Sequence, residues 1–107
     1  MRFNVLLTRG AEDDLFDLWG YLADNRSIED ADYVLGRLKD LIRSLSEMPI
    51  RGHVPAELER LHVGDFLQVH FKPYRVIYQV TGSDVHVFCV LDGRRDIEGV
   101  LERRLLS

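Results

Sequence analysis

The chain has 107 residues, a mass of 12.4 kDa and a formal net charge of −4. With 46% apolar and 30% charged residues it reads as one folded domain spanning 1–107, which excludes a disordered chain and leaves little room for a second core. The acidic balance, with a pI of about 5.5, argues against a dedicated nucleic-acid binder.

Phe3, Val5 and Leu7 alternate with Arg2, Asn4 and Leu6, which predicts a first strand. Thr8 is an N-cap candidate, and Glu12, Asp13 and Asp14 suit the positive end of a helix dipole. Ala11, Leu15, Leu18, Trp19 and Leu22 then form one apolar stripe, with Trp19 expected in the core. Ser27, with Asp30 three residues on, opens a second helix. Its stripe is Ala31, Val34, Leu35, Leu38, Leu41, Ile42 and Leu45, and Met48-Pro49 ends it. The short link between the two predicts an antiparallel helical hairpin.

Residues 49–65 are irregular, punctuated by Pro49, Gly52, Pro55 and Gly64, with a helical turn expected at 56–61. From Phe66 the period changes to two. Leu67, Val69 and Phe71 make one strand, and Pro73 breaks the run. Tyr74, Val76, Tyr78 and Val80 make the next, followed by a tight turn at Thr81-Gly82-Ser83-Asp84. Val85, Val87, Cys89 and Leu91 make the last. That strand is apolar on both faces, so a central or doubly covered position is expected. Ile97, Val100, Leu101 and Leu105 predict a short C-terminal helix, weakened by Gly99. The expected fold is therefore two-layer α+β: an N-terminal strand, then a two-helix hairpin packed on a mostly antiparallel sheet with a three-strand C-terminal meander. Leu35, Leu38, Ile42 and Leu45 should face Val76, Tyr78, Val87 and Cys89.

Chemistry-bearing groups are sparse. Cys89 is a lone cysteine in the most apolar strand, which excludes an internal disulfide and predicts a buried, inert thiol. His53, His62, His70 and His86 lack metal-ligand spacing, so neither a metal nor a cofactor is expected. No apolar run approaches the roughly 20 residues of a membrane span. The first residues lack the pattern of a signal peptide, so a cytoplasmic location with no membrane partner is expected.

The arginines are the one constellation with functional potential. Of the 14 basic residues only Lys39 and Lys72 are lysine; arginine suits planar, paired contacts to carboxylates. Arg75 is polar in an apolar strand, and Arg94 and Arg95 follow the last strand. A hairpin about Gly82-Ser83 brings Arg75 and Arg94 to the same end of the sheet. There they either stabilise a phosphoryl-transfer transition state or tie the sheet end through a carboxylate such as Asp92 or Asp96.

Several segments taken together carry a family pattern. They are Met48-Pro49-Ile50-Arg51-Gly52, Pro55-Ala56-Glu57-Leu58, Tyr74-Arg75-Val76-Ile77-Tyr78-Gln79-Val80 and Val90-Leu91-Asp92-Gly93-Arg94-Arg95-Asp96. In this order and spacing, after the acidic helix start at Ala11–Leu15, the chain resembles the ParE branch of the RelE/ParE toxin superfamily. The resemblance implies a bacterial type II toxin held silent by a ParD-like antitoxin with a ribbon-helix-helix DNA-binding head. Operator DNA would be met only through that antitoxin. It also implies one of two activities: inhibition of DNA gyrase without hydrolytic chemistry, as in ParE-like members, or ribosome-dependent mRNA cleavage, as in RelE-like members. An inactive relative that only binds its antitoxin is a third reading. Arg75 and Arg94 or Arg95 match the RelE-like arginine positions. The C-terminal histidine or tyrosine and the lysines of that branch have no counterpart here, so no catalytic residue is assigned and a gyrase-directed binder is expected. Arg75, Arg94, Arg95, Arg103 and Arg104 are the candidate target-binding residues. Phe16, Tyr21, Ala23 and Tyr33, lying off the main helix stripes, are the candidate antitoxin-binding residues. The toxin alone is expected to self-associate.

Overall fold

The computed structural model describes residues 2–60, 66–95 and 97–105, without the side chain of Arg60. Strand β1 (Asn4–Leu7) leads into helix α1 (Arg9–Asn25), whose first turn is capped by the Thr8 hydroxyl accepting from the Ala11 N–H. Helix α2 (Ile28–Ser44) begins the same way, with the Ser27 hydroxyl accepting from Asp30 N–H at 3.0 Å. Each cap satisfies a backbone donor that the helix itself leaves unpaired. A short α3 (Ala56–Arg60) lies in the irregular stretch. Strands β2 (Phe66–Phe71), β3 (Tyr74–Thr81) and β4 (Asp84–Asp92) form the meander, and α4 (Ile97–Leu105) closes the chain. Leu61, the end of the expected helical turn, lies outside the described residues. The β3–β4 turn places Gly82 at φ 61°, a left-handed conformation that glycine adopts without steric cost.

The sheet order is β1-β4-β3-β2. β2, β3 and β4 are antiparallel, while β1 pairs with β4 in parallel. β4 is therefore central, as its two-sided apolarity predicted.

The two-layer expectation is corrected. The α1–α2 hairpin covers one face, burying Leu15, Leu22, Leu35, Leu38, Ile42 and Leu45 against Val76, Tyr78, Val85 and Val87. A second core fills the opposite face, where Leu58 of α3 and Ile97 and Leu101 of α4 meet Phe66, Ile77, Cys89 and Leu91. The placement of Cys89 is corrected with it. Ile77 pairs with Cys89 but Tyr78 pairs with Val87, so Phe88 is an extra residue in β4. This bulge reverses the alternation: Val85 and Val87 face the hairpin, whereas Cys89 and Leu91 face α3 and α4.

Trp19 is also corrected. It is 38% exposed, and its indole N–H donates to Asp32 of α2 at 2.9 Å, tying the two helices together from outside. An indole N–H left in an apolar core would lack a partner.

The irregular stretch straps the outer edge of β2. His53 exchanges both backbone hydrogen bonds with Gln68, and Gly52 N–H donates to the Tyr78 hydroxyl at 3.2 Å. A Cβ at Gly52 would lie 2.5 Å from the Gln68 carbonyl oxygen and 2.7 Å from that hydroxyl, so only glycine fits. The strap shields an edge that would otherwise offer unpaired backbone groups.

Candidate functional site

The five candidate arginines occupy two places. Arg75 projects from β3 toward α3, where its guanidinium grips both carboxylate oxygens of Glu57 at 2.8 Å. Its Nε donates to Gln68 Oε1 at 2.6 Å. The pair is largely buried, with side-chain exposures of 11% for Arg75 and 19% for Glu57. Because Gln68 turns its oxygen to Arg75, its amide nitrogen faces His53 Nε2 at 3.1 Å. His53 in turn stacks on His70, with ring centroids 5.4 Å apart. Burial, then the charges of His53, Arg75 and Lys72, lower the His70 pKa below its ordinary 6.5.

Among the described residues Glu57, not Asp92, is the carboxylate that holds Arg75; Asp96 lies outside the described residues. The sequence places Glu57 in the expected helical turn of the irregular stretch, and only the crossing of that stretch over the sheet brings it to Arg75.

Of the others, Arg95, Arg103 and Arg104 border a cleft between α1, the far end of β4 and α4. Its main chamber, of about 430 Å³, is lined by Asp14, Asp17, Tyr21, Tyr74, Asp92 and Arg95, with Leu18, Val90 and Leu91 between them. An adjoining groove adds Val100, Arg103 and Arg104. Strand β1 stops at Leu7, so beyond Val87 side chains replace it along β4. Asp14 accepts from Val90 N–H at 2.9 Å, and Arg104 donates to the Phe88 carbonyl at 3.2 Å. Arg104 also grips Asp14 through two hydrogen bonds, of 2.7 and 3.0 Å, which raises its already high pKa. This clamp joins α1, the bulge and α4. Gly10 leaves it room: a Cβ there would lie 3.2 Å from the Arg104 guanidinium.

Arg94 folds back onto Asp92, with contacts of 2.7 and 3.0 Å that lower the Asp92 pKa. Arg75 and Arg94 thus share an end of the sheet, as the hairpin geometry predicts, but serve two separate ion pairs. Arg95 is exposed at the mouth of the cleft, and its side chain forms no ion pair among the described residues. Arg103 is exposed on the adjoining groove. The cleft therefore presents cationic side chains beside two tyrosines over an apolar floor. Among the described residues its lining contains no histidine, and both Asp14 and Asp92 are engaged by arginines.

Phe16, Tyr21 and Tyr33 are 80%, 63% and 62% exposed, but they face different directions. Phe16 borders the groove between the helices, Tyr21 lines the cleft, and Tyr33 meets the Phe71 ring edge-on. Ala23 is half-buried and packs against the main core instead of standing clear of it.

Cys89 is buried, and desolvation pushes its thiol up to about 11, which keeps it protonated near neutrality. Among the described residues no cluster of three or more histidine, cysteine, aspartate or glutamate side chains has the arrangement to hold a metal ion. None of the described helices is long and apolar enough to cross a membrane. Sequence reasoning missed Asp14, Glu57 and Gln68 as partners of the arginines, and His53 as the neighbour of Gln68. The acidic helix start and the Pro-Ala-Glu-Leu turn were visible, but nothing local marks what they reach.

A family model described as "ParE toxin of type II toxin-antitoxin system, parDE" matches residues 5–97. The chain is 28% identical to Toxin ParE3 of Caulobacter vibrioides over 100 residues, covering 94% of this chain and 96% of that protein. Among solved structures it is similar to a chain of the chromosomal ParDE toxin–antitoxin system from P. aeruginosa. The TM-score is 0.67 at 14% identity, covering 83% of this chain and 94% of that one. It is also similar to a chain of the RelBE2 toxin–antitoxin complex from Mycobacterium tuberculosis. There the TM-score is 0.62 at 18% identity, covering 86% and 92%. At these identities the two structures establish a shared fold.

Proposed function

The chain belongs to the ParE toxin family of type II toxin–antitoxin systems, and on that premise we propose that it acts by binding, as a non-hydrolytic inhibitor of DNA gyrase in the cytoplasm. A ParD-like antitoxin with a ribbon-helix-helix head holds it silent, and operator DNA is reached only through that antitoxin. The observation that carries the binding reading is the state of Arg75. Its charge is matched by Glu57, and both of its terminal nitrogens and its Nε are already donating, which leaves it less available to a phosphoryl transition state. Arg95 is exposed at the mouth of a cleft with Tyr21 and Tyr74, and Arg103 is exposed on the adjoining groove, the mix of arginine and aromatic groups that protein interfaces favour. Arg94 and Arg104 frame that surface through their ion pairs. Phe16, Tyr21 and Tyr33 supply separate exposed apolar areas along which an antitoxin tail can fold, and Ala23, half-buried against the core, adds a small apolar surface near them in the chain.

The test pairs two assays on the purified protein: DNA gyrase supercoiling and mRNA cleavage on translating ribosomes. Inhibition of supercoiling without cleavage is expected. The double substitution Arg95→Glu, Arg103→Glu should weaken inhibition by about tenfold or more while antitoxin capture persists. If inhibition is unchanged, the cleft is not the gyrase surface.

One observation favours the mRNA endonuclease as the second reading: the fold gathers Glu57, His53 and His70 around Arg75, giving acid–base groups that the C-terminus lacks. Site-specific mRNA cleavage abolished by Arg75→Lys would install that reading. Antitoxin binding with neither activity would leave the inactive relative.

A further inference from the structure

We propose that the cleft beside α1 is a pocket for the free carboxyl end of a peptide whose last side chain is apolar. This rests on the cleft being a binding surface, as proposed above, and not on the partner being gyrase. Tyr74 lines the chamber, its ring packs in the main core, and it is only 3% exposed. Its hydroxyl forms no hydrogen bond among the described residues. No buried polar side-chain atom among those residues lacks a partner, so the hydroxyl is the part of this ring left open at the cleft wall. A tyrosine this deeply buried ordinarily finds a protein partner for its oxygen, as Tyr78 does in the Gly52 N–H. For Tyr74 that partner has to come from the cleft.

The charges select the group. Asp14 is matched by Arg104 and Asp92 by Arg94. Arg95 and Asp17 are left, both exposed, neither in an ion pair among the described residues, and both standing where the chamber meets the adjoining groove. A carboxylate suits the planar fork of Arg95 and has a lone pair to spare for the Tyr74 hydroxyl. The Arg94 guanidinium, within electrostatic range of the Tyr74 and Tyr21 hydroxyls, adds to the positive potential there. Asp17 repels a bare anion, but it accepts the backbone N–H of a terminal residue. The side chain of that residue then lies on the floor of Leu18, Val90 and Leu91. A free amino acid makes the same contacts but leaves the groove along Val100 and Arg103 empty. That groove gives the preceding residues of a peptide a path out, which favours a chain end over a free amino acid.

Titration of the isotope-labelled full chain with N-acetyl-leucyl-phenylalanine, followed by NMR, tests this. Saturable shifts of the Leu18, Val90 and Leu91 amide signals are expected between about 10 μM and 10 mM peptide. The carboxamide analogue should bind at least about tenfold more weakly, because Arg95 loses a charged partner. Free phenylalanine should also bind more weakly than the peptide. Tyr74→Phe should weaken peptide binding about fivefold or more and leave thermal unfolding unchanged, since a hydroxyl with no protein partner adds nothing to the fold. Arg95→Gln should remove the preference for acid over carboxamide. The proposal is overturned by the absence of saturable shifts, by equal binding of acid and carboxamide, or by a Tyr74→Phe variant that binds as the parent does. Free phenylalanine binding as tightly as the peptide would overturn the choice of a chain end. The gyrase reading fails separately: peptide that saturates the cleft without relieving gyrase inhibition leaves the pocket standing and places the gyrase contact elsewhere.

Discussion

Arg75 and Glu57 change one another's chemistry. A guanidinium in an apolar strand is costly unless paired, and the bidentate contact with Glu57 supplies the missing charge. Removing only the acid leaves a buried cation. Glu57→Ala should therefore cost about 2–4 kcal/mol in urea unfolding, whereas the double variant Glu57→Ala, Arg75→Met should lose clearly less. His70, across the β2–β3 pair from Arg75, adds a pH dependence. Its folded pKa is lowered, first by burial and then by His53, Arg75 and Lys72, so the unfolded chain takes up this proton more readily. Stability from this site is complete above pH 6.5 and is lost as the pH falls through the lower folded value. Thermal unfolding should shift down between pH 7.5 and 5.5, and His70→Gln should flatten that dependence.

At the scale of the element, β4 and α4 decide what a deletion or substitution reports. Leu38 is fully buried in the hairpin core and Leu101 is fully buried under the sheet's other face. Each replacement by alanine should cost about 2–5 kcal/mol, measured by chemical denaturation. A small loss at Leu101 would mean that α4 is only loosely seated. Because Ile97 and Leu101 complete the second core, truncation after Asp96 should strip the sheet and unfold much of it, visible as lost near-ultraviolet circular dichroism. Such a truncation does not isolate a target-binding role for α4. The surface pair Arg95→Glu, Arg103→Glu does, because neither side chain enters the core.

For the molecule as a whole, the central β4 is covered on both faces, and the edge of β2 is strapped by Gly52-His53. The outer hairpin face and the arginine cleft lie on different sides of α1 and leave a partner two distinct surfaces. A toxin whose apolar groove is exposed should be handled best with its antitoxin. Coexpression should yield a copurifying complex of higher melting temperature than the chain alone, by the mass-action stabilisation that any native-state ligand gives. Equal melting temperatures would show that the antitoxin does not bind the folded chain.

Local chemistry in the sequence was enough to place the helices, their Thr8 and Ser27 caps, the three-strand meander and the turn at Gly82. A cap, a proline break and an apolar period each act over a few residues, and their physics is written where they act. Family membership was legible too, from short segments in a fixed order. The second core, the bulge at Phe88 and the partners of the arginines were not. An extra residue in β4 changes no local propensity, yet it turns Cys89 and Leu91 to the opposite face. Glu57 lies 18 residues from Arg75, and Asp14 lies 90 from Arg104. Which carboxylate neutralises which guanidinium is set by the distance between charges in space, and only the packing of loop, helix and sheet fixes that distance.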